Sequence, residues 1–424
     1  MSTPTTEETR FQEELDRLRI ADNLTNFLFL GRAWLILAIT IGAFVLFDIW
    51  RSNAGYSLLL NLPFWILAIL VIGASQHQLA GAGHEGTHYT LFRNRTLNNL
   101  ASNWLCMFPI LTSTEVYRKQ HFAHHQHVND PVHDPDLAQL QSSGHEFQFP
   151  KDRKQVIRLF LRQLLPQNLI RYTFHRARFS AMGIDASKHV PPASRTLFFP
   201  YFFLLLATHG ILAHFELSVS TVLLATLVLI GIMGIATFIL QRRPKHRPGK
   251  ASGTDSKSEP SIQRYVHATL LLLTITLIHL ATGLETLVYF AVLWLVPLIT
   301  SFSFFMMMRQ TIQHANCDQG RFSNTRVFLV NPLLRYAVFP FGMDYHLPHH
   351  LYSNVPHYRL KSLHELLKVQ PEYDRRGAVV KGCVAREPGP QYPGLVDALG
   401  PEYEPGHGTA NPDYNAPSPP PNTG

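Results

Sequence analysis

The stretch SLLLNLPFWILAILVIGAS, residues 57–75, decides what kind of protein this is. Its 19 residues include no charged side chain. At 1.5 Å per residue a helix of that length reaches about 28 Å, close to the ~30 Å hydrocarbon core of a bilayer. A buried helix of a soluble domain rarely runs so far without a charge, so the segment reads as a membrane span. Upstream, residues 33–50 (AWLILAITIGAFVLFDIW) form a second apolar block and make a hairpin with it. Downstream the pattern recurs as 196–216 with 219–240, and again as 266–282 with 284–308. An all-α integral membrane protein is therefore expected, built from transmembrane hairpins of four to six helices.

Charge orients these hairpins. Their turns, at 49–56, 217–218 and 283, contain one of the chain's 37 Lys and Arg residues, Arg51. Basic residues concentrate on the cytoplasmic side of a membrane, so both termini and every long polar segment are expected there. The net charge of +8 then faces anionic lipid and calls for no nucleic-acid partner. The resulting order starts with a cytoplasmic segment 1–26, a hairpin 27–80, a polar block 81–195 and a second hairpin 196–241. A disordered basic loop 242–263, a third hairpin 264–308, a second polar block 309–384 and a disordered tail 385–424 rich in Pro, Gly and Asn complete it. Within the first block, LASNWLCMFPIL (100–111) is apolar but too short to span, which suits an interfacial or buried helix. Residues 1–26 are polar and charged, unlike a cleavable leader. Cys106, Cys317 and Cys383 lack metal-site spacing and are expected as free thiols in the cytoplasm.

Histidine supplies 23 of the 424 residues and clusters in the two polar blocks, as HEGTH (84–88), HFAHH (121–125) and HLPHH (346–350). HEGTH alone matches the zinc-protease pattern, with Glu85 as general base. At this histidine frequency roughly one H-x-x-x-H pair arises by chance, so that match is weak. Two H-x-x-H-H clusters arise by chance on the order of once in several hundred such chains. Residues three and four apart share a helix face, so each cluster can aim two or three imidazoles at one point. Eight imidazoles exceed the four positions of a tetrahedral zinc site. They suit two ions of an imidazole-binding redox metal, for which iron is the natural choice. Two irons can reduce O2 to an oxidant that takes hydrogen from an unactivated C–H bond, and a place beside hydrocarbon suits a lipid chain.

At these residues the chain resembles the membrane fatty-acid desaturase and hydroxylase superfamily, whose signature is three histidine boxes on the cytoplasmic side of hairpin helices. HEGTHYTLFRNRTLNN resembles its first box and following loop, RKQHFAHHQHVNDPVHDPDL its second, and DYHLPHHLYSNVPHYRL its third. The similarity spans roughly residues 70–140 and 300–368. It implies that His84, His88, His121, His124, His125, His346, His349 and His350 bind a di-iron centre within a cytoplasmic helical cap. The family often has a further histidine in an Arg-x-x-x-Glu-His context. RQTIQH (309–314) matches with glutamine for glutamate, which makes His314 a ninth ligand. Asp344 stands where many relatives have asparagine, and Ser353 replaces a common proline.

The remaining polar residues divide on plainer grounds. Metal-bound histidines usually donate their second N–H to an acceptor, and Glu85, Asp130, Asp134, Asp136 and Asp344 are candidates. A solvated acidic turn accounts equally well for the middle three. His127, His133, His357 and His364 sit near the boxes and are expected in supporting or structural roles, and His77 in a core or capping role. His209, His214 and His279 belong to membrane helices, and Met306, Met307 and Met308 to packing.

Several activities share such a site. The simplest is an O2-dependent fatty-acyl desaturase; hydroxylation, carotenoid ketolation and alkene-forming decarboxylation need the same centre. Two electrons must come from outside. No His-Pro-Gly-Gly haem motif or cysteine cluster is present, so a separate ferredoxin, rubredoxin or cytochrome b5 with its reductase is implied. A zinc membrane metalloprotease built on HEGTH is the remote alternative and leaves the other two boxes without a use. A bacterial inner membrane or endoplasmic-reticulum membrane fits the topology equally.

Overall fold

The computed structural model describes residues 6–183, 197–241, 261–382 and 392–404. Among them five helices are long and apolar enough to cross a membrane: Thr25–Asn53, Leu58–His88, Val219–Ile239, Ile262–Thr282 and Thr286–His314. Phe198–His214, with 17 residues, is a shorter sixth. Each apolar block of the sequence is thus a helix, and the fold is helical apart from two four-residue strands. Large apolar side chains such as Leu46, Leu67, Leu224 and Ile235 face outward from the long helices, as lipid contact requires.

The helices are α1 (Thr6–Arg19), α2 (Thr25–Asn53), α3 (Asn61–His88), α4 (Arg95–Ala101), α5 (Thr114–Gln126), α6 (Pro135–Ser143), α7 (Arg153–Gln163) and α8 (Pro166–Arg176). They continue as α9 (Phe198–His214), α10 (Val219–Gln241), α11 (Ser261–Thr282) and α12 (Thr286–His314). The C-terminal part holds α13 (Pro332–Val338), α14 (His346–Leu351), α15 (Leu360–Leu367), α16 (Pro371–Arg376) and α17 (Leu395–Ala398). Strands β1 (Arg326–Leu329) and β2 (Ala378–Lys381) pair in parallel, Arg326 opposite Ala378.

Two helices overrun the bilayer, and this places the site. The unbroken run Leu58–His88 has 31 residues, about 46 Å of helix against ~30 Å of hydrocarbon. Its last turns therefore stand clear of the membrane. The hairpin boundary expected at residue 80 falls inside this helix. α12 behaves the same way, with its π-helical stretch at Ala291–Leu295 and a break at Thr300 (φ −102°, ψ −92°) below the projecting end. α3 and α12 approach closely where Gly73 meets Ser301. A Cβ on Gly73 would lie 1.9 Å from Ser301 Oγ and 2.6 Å from the Phe302 backbone nitrogen. Gln76 Nε2 donates to the Trp294 carbonyl (2.9 Å) along the same seam. At the far end Asp48 gathers Arg51 Nη2 (2.7 Å), Asn61 Nδ2 (2.6 Å) and the Tyr289 hydroxyl (2.7 Å), so a carboxylate near lipid is fully engaged.

The cap is built from the polar blocks and both ends of the described chain. α1 buries Leu15 and Leu18 against Leu360, Leu363 and Leu367 of α15. LASNWLCMFPIL runs from the end of α4 through the π-helical turn Ser102–Met107, and its Cys106 is a buried free thiol. Cys317 is also free, and Cys383 lies outside the described residues. The disordered tail expected from residue 385 needs correction at its centre. Residues 392–404 are ordered: Leu395, Val396, Leu399 and Tyr403 share a core with Val156 and Phe328. Composition hides them, because a short apolar segment sits among Pro and Gly. Residues 383–391 and 405–424, and 242–260 of the basic loop, lie outside the described residues.

Candidate metal centre

Four helices converge on one side of the bundle. α3 brings His84 and His88 at its C-terminal end, α5 brings His121, His124 and His125, α12 ends on His314, and α14 carries His346, His349 and His350. The Ser113 side chain caps α5 by accepting the Val116 N–H (3.4 Å). Spacings of three and four turn the imidazoles of α5 and α14 to one face each.

Two arginines hold the projecting helix ends. Arg118 Nε donates to Thr87 O and its Nη2 to Gly86 O, both at 2.9 Å, at the end of α3. Arg326 Nη1 donates to Ile312 O (3.1 Å) and its Nη2 to Ala315 O (2.7 Å) and Asn316 O (2.6 Å), at the end of α12. Each guanidinium meets carbonyls that lack intrahelical partners, where the helix dipole also favours a cation. Neither residue is singled out in the sequence. The signal available for Arg118 was its place three residues before His121, on a neighbouring helix position.

The nine rings form two adjoining sets. Nitrogens of His84, His88, His121, His125 and His349 lie within 4.8 Å of one another, and so do those of His124, His314, His346 and His350. In the first set His121 Nε2 is 2.8 Å from His88 Nε2 and 3.0 Å from His125 Nε2, and His349 Nε2 is 3.2 Å from His125 Nε2. In the second, His346 Nε2 is 3.0 Å from His314 Nε2 and 3.1 Å from His350 Nε2. The sets touch where the His125 and His350 rings stack at 4.3 Å between centroids.

These spacings test whether a metal fits. Two nitrogens bound to one ion at ~2.1 Å and at right angles lie about 3.0 Å apart. Protons alone do not satisfy the first set, because His121 Nε2 meets two other Nε2 atoms and can donate to one. His84 is buried with both ring nitrogens unpartnered. A cation at the focus of each set would engage these lone pairs, so the residues present fit one metal ion per set.

Electrostatics point the same way. Burial, reinforced by mutual repulsion, holds His121, His125, His346, His349 and His350 well below the usual histidine range, so they are neutral lone-pair donors near pH 7. His124 is the exception. Burial opposes its charge, yet the Asp134 and Asp136 carboxylates push it up to about 9. A field that favours imidazolium also favours a bound cation. His124 Nδ1 donates to Asp134 Oδ1 (2.9 Å), which turns Nε2 toward the set. His314 Nδ1 donates to Asn324 O (3.1 Å) with the same effect.

Of the five candidate acceptors, Asp134 is the one that hydrogen-bonds a histidine of the two sets. Asp136 accepts from Gln120 Nε2 (2.8 Å). Asp130 pairs with His133 Nδ1 (3.0 Å), which with His127 makes a more exposed group. Asp344 pairs with Arg335 Nε (2.9 Å), while burial pushes its carboxyl up to about 6. Glu85 Oε2 accepts the His357 backbone N–H and the Thr90 hydroxyl, both at 2.9 Å, and Oε1 stays 3.8 Å from His84 Nδ1. Glu85 therefore pins the loop after the third box to the end of α3. His77 donates to Ala337 O (2.8 Å), His357 bonds Asn26 (2.7 Å) and His364 bonds the Tyr373 hydroxyl (2.7 Å). His209 and His279 satisfy themselves within the membrane helices, and none of these joins either set. Tyr117, not singled out in the sequence, stacks on His121 at 5.3 Å.

The chain matches the fatty acid desaturase family over residues 60–244 and 237–380, a span that holds all nine histidines. It belongs to the fatty acid desaturase family. Among relatives of this desaturase-family chain, the dihydrorhizobitoxine desaturase of Bradyrhizobium elkanii is 34% identical over 96 residues, 22% of this chain and 27% of that protein. The Delta(8)-fatty-acid desaturase of Euglena gracilis is 30% identical over 90 residues, 20% of each chain. The Delta 8-(E)-sphingolipid desaturase of Komagataella phaffii is 29% identical over 85 residues, 20% of this chain and 16% of that protein. The chain thus spans about a quarter or less of the length of these relatives.

Proposed function

We propose that this desaturase-family chain is an O2-dependent di-iron membrane oxidase that removes hydrogen from a lipid hydrocarbon chain, most simply a fatty-acyl desaturase. The observation that carries this reading is the division of nine ring nitrogens into two adjoining sets. His84, His88, His121, His125 and His349 would hold one iron, and His124, His314, His346 and His350 the other. With both bound, the irons supply the oxidising power, drawn from O2 and two external electrons, for breaking an unactivated C–H bond. A ferredoxin, rubredoxin or cytochrome b5 with its reductase would deliver those electrons.

The protein's own contribution is positional. Asp134 and the Asn324 carbonyl keep the Nδ1 protons of His124 and His314, so Nε2 faces inward. Arg118 and Arg326 fix the helix ends that carry His88 and His314. Burial of His84, His121, His124, His346 and His349 excludes bulk water, which protects a reactive centre from side reactions. With the sets standing just above the hydrocarbon, a substrate chain can reach them from the bilayer. By charge distribution both termini and the cap lie in the cytoplasm. Hydroxylation, ketolation and decarboxylation would use the same residues and differ in where the substrate sits. The zinc-protease reading gives Glu85 the role of free base, whereas its carboxylate is tied to Thr90 and His357.

Lipid profiling of cells expressing the wild-type chain, against cells expressing His124→Ala, tests the reaction. A new double bond in the acyl pool with the wild type alone is expected. Identical profiles, or full activity in His124→Ala or His349→Ala, would defeat it.

A further inference from the structure

The inward-facing arginines differ in what meets them. Arg118 and Arg326 are engaged by backbone carbonyls, and Arg51 by Asp48. Arg176 and Arg309 differ. Both side chains are more than nine-tenths buried, and the Nε of each has no hydrogen-bond partner. Among the described residues no carboxylate lies within ion-pair distance of either. Asp136, the acidic group of the same network, is taken up by Gln120 and Gln310.

The two charges share one patch. Arg176, the last residue of α8, sits over the Phe302 ring of α12, 4.6 Å from its centroid. Arg309 folds back along α12 until its Nη2 is 3.1 Å from Met306 Sδ, one helical turn from Phe302. Both bear electrostatically on the same buried neighbours, His77 and Tyr172. The patch adjoins the histidines, since Arg309 lies against the Tyr117 hydroxyl and Tyr117 stacks on His121.

Buried among apolar and aromatic side chains, both charges have lost most of their hydration. Such an arrangement is costly unless an anion joins it. The geometry points to a carboxylate subsite: Arg176 and Arg309 receive the ionised head of a free fatty acid beside the histidine sets. A planar carboxylate matches the fork of a guanidinium. Phe302 and Met306 offer the apolar wall that its first methylenes need. This assignment rests on the reading of the chain as a lipid oxidase and narrows the substrate to the free acid.

The test compares binding of hexadecanoate and methyl hexadecanoate to the intact chain in lipid nanodiscs, by displacement of a fluorescent fatty acid. Wild type, Arg309→Met and Arg176→Met are measured, with iron content as a second readout. The acid is expected to bind wild type at least about tenfold more tightly than the ester. Each variant should lose roughly 10- to 100-fold for the acid and keep its affinity for the ester and its iron. The ligand-free variants should melt no lower than wild type, because an unpaired buried charge has been removed. Equal binding of acid and ester by wild type, or undiminished acid binding in both variants, overturns the subsite. Weakened ester binding together with a lower melting point also overturns it, since it marks a purely structural role. Lipid oxidation with acid and ester bound equally would sink the subsite and leave the oxidase standing. Arginine-dependent acid binding without any lipid oxidation would do the reverse.

Discussion

In the proposed centre, Asp134 is the residue that orients His124 in the second histidine set. Asp134 serves three ways, accepting His124 Nδ1–H, accepting the Asn129 N–H (3.0 Å) and capping α6 through the Asp136 N–H (2.9 Å). Asp134→Asn keeps an acceptor but removes the charge that favours a cation at His124. Metal affinity should fall roughly 10- to 100-fold, read as faster iron loss to a chelator at unchanged histidine content. Retention equal to wild type would show that this carboxylate does not tune the centre. The nine histidines were legible in the sequence because their spacing is local. Arg118 and Arg326 were not, since each reaches carbonyls 10 or more residues away that only the folded chain brings near. Asp130 and Asp344 had the right chemistry in the right region, yet their side chains point to His133 and Arg335.

At the scale of helices, the seam between α3 and α12 sets how closely His84 and His88 approach His314. Gly73 permits that seam, and the atom nearest to an added Cβ after the Ser301 side chain is backbone, which cannot swing aside. Gly73→Val should therefore lower the thermal midpoint by the equivalent of about 1–3 kcal/mol or more, and loosen metal binding with it. An unchanged melting curve would mean the helices have another way to pack. Gly86 plays the same part against Ser102, whose Oγ would lie 2.0 Å from a new Cβ. Hydropathy found all six apolar helices, but it reports hydrocarbon contact, not helix length. The overrun of α3 and α12 was hidden because their last turns are polar and sit inside the cap. Segment 392–404 escaped for the opposite reason, as its few apolar residues bury only against strands and helices distant in sequence.

Over the whole molecule, the cap carries groups that respond to acid. His357 and His364 are buried in the cap, and burial pushes both down to about 4. Below pH 6.5 the unfolded chain binds protons at these positions that the folded cap refuses, so stability falls as pH drops from 6.5 toward 4. Above 6.5 neither contributes a slope. Each costs the fold up to about 3 kcal/mol at the lower limit. Asp344, pushed up to about 6, acts in the opposite sense, so the expected outcome is a difference: between pH 7 and pH 5 the thermal midpoint of His364→Gln should fall less than that of wild type. The same pH dependence of the midpoint in wild type and His364→Gln would contradict the burial of that ring.

The proposed centre is two iron ions, one in each of the two histidine sets. Its most direct test is the metal content of the purified intact chain, produced with iron supplied and counted against protein. About two irons per chain are expected, falling in both His124→Ala and His349→Ala. One zinc per chain, or iron content indifferent to both substitutions, would contradict the centre.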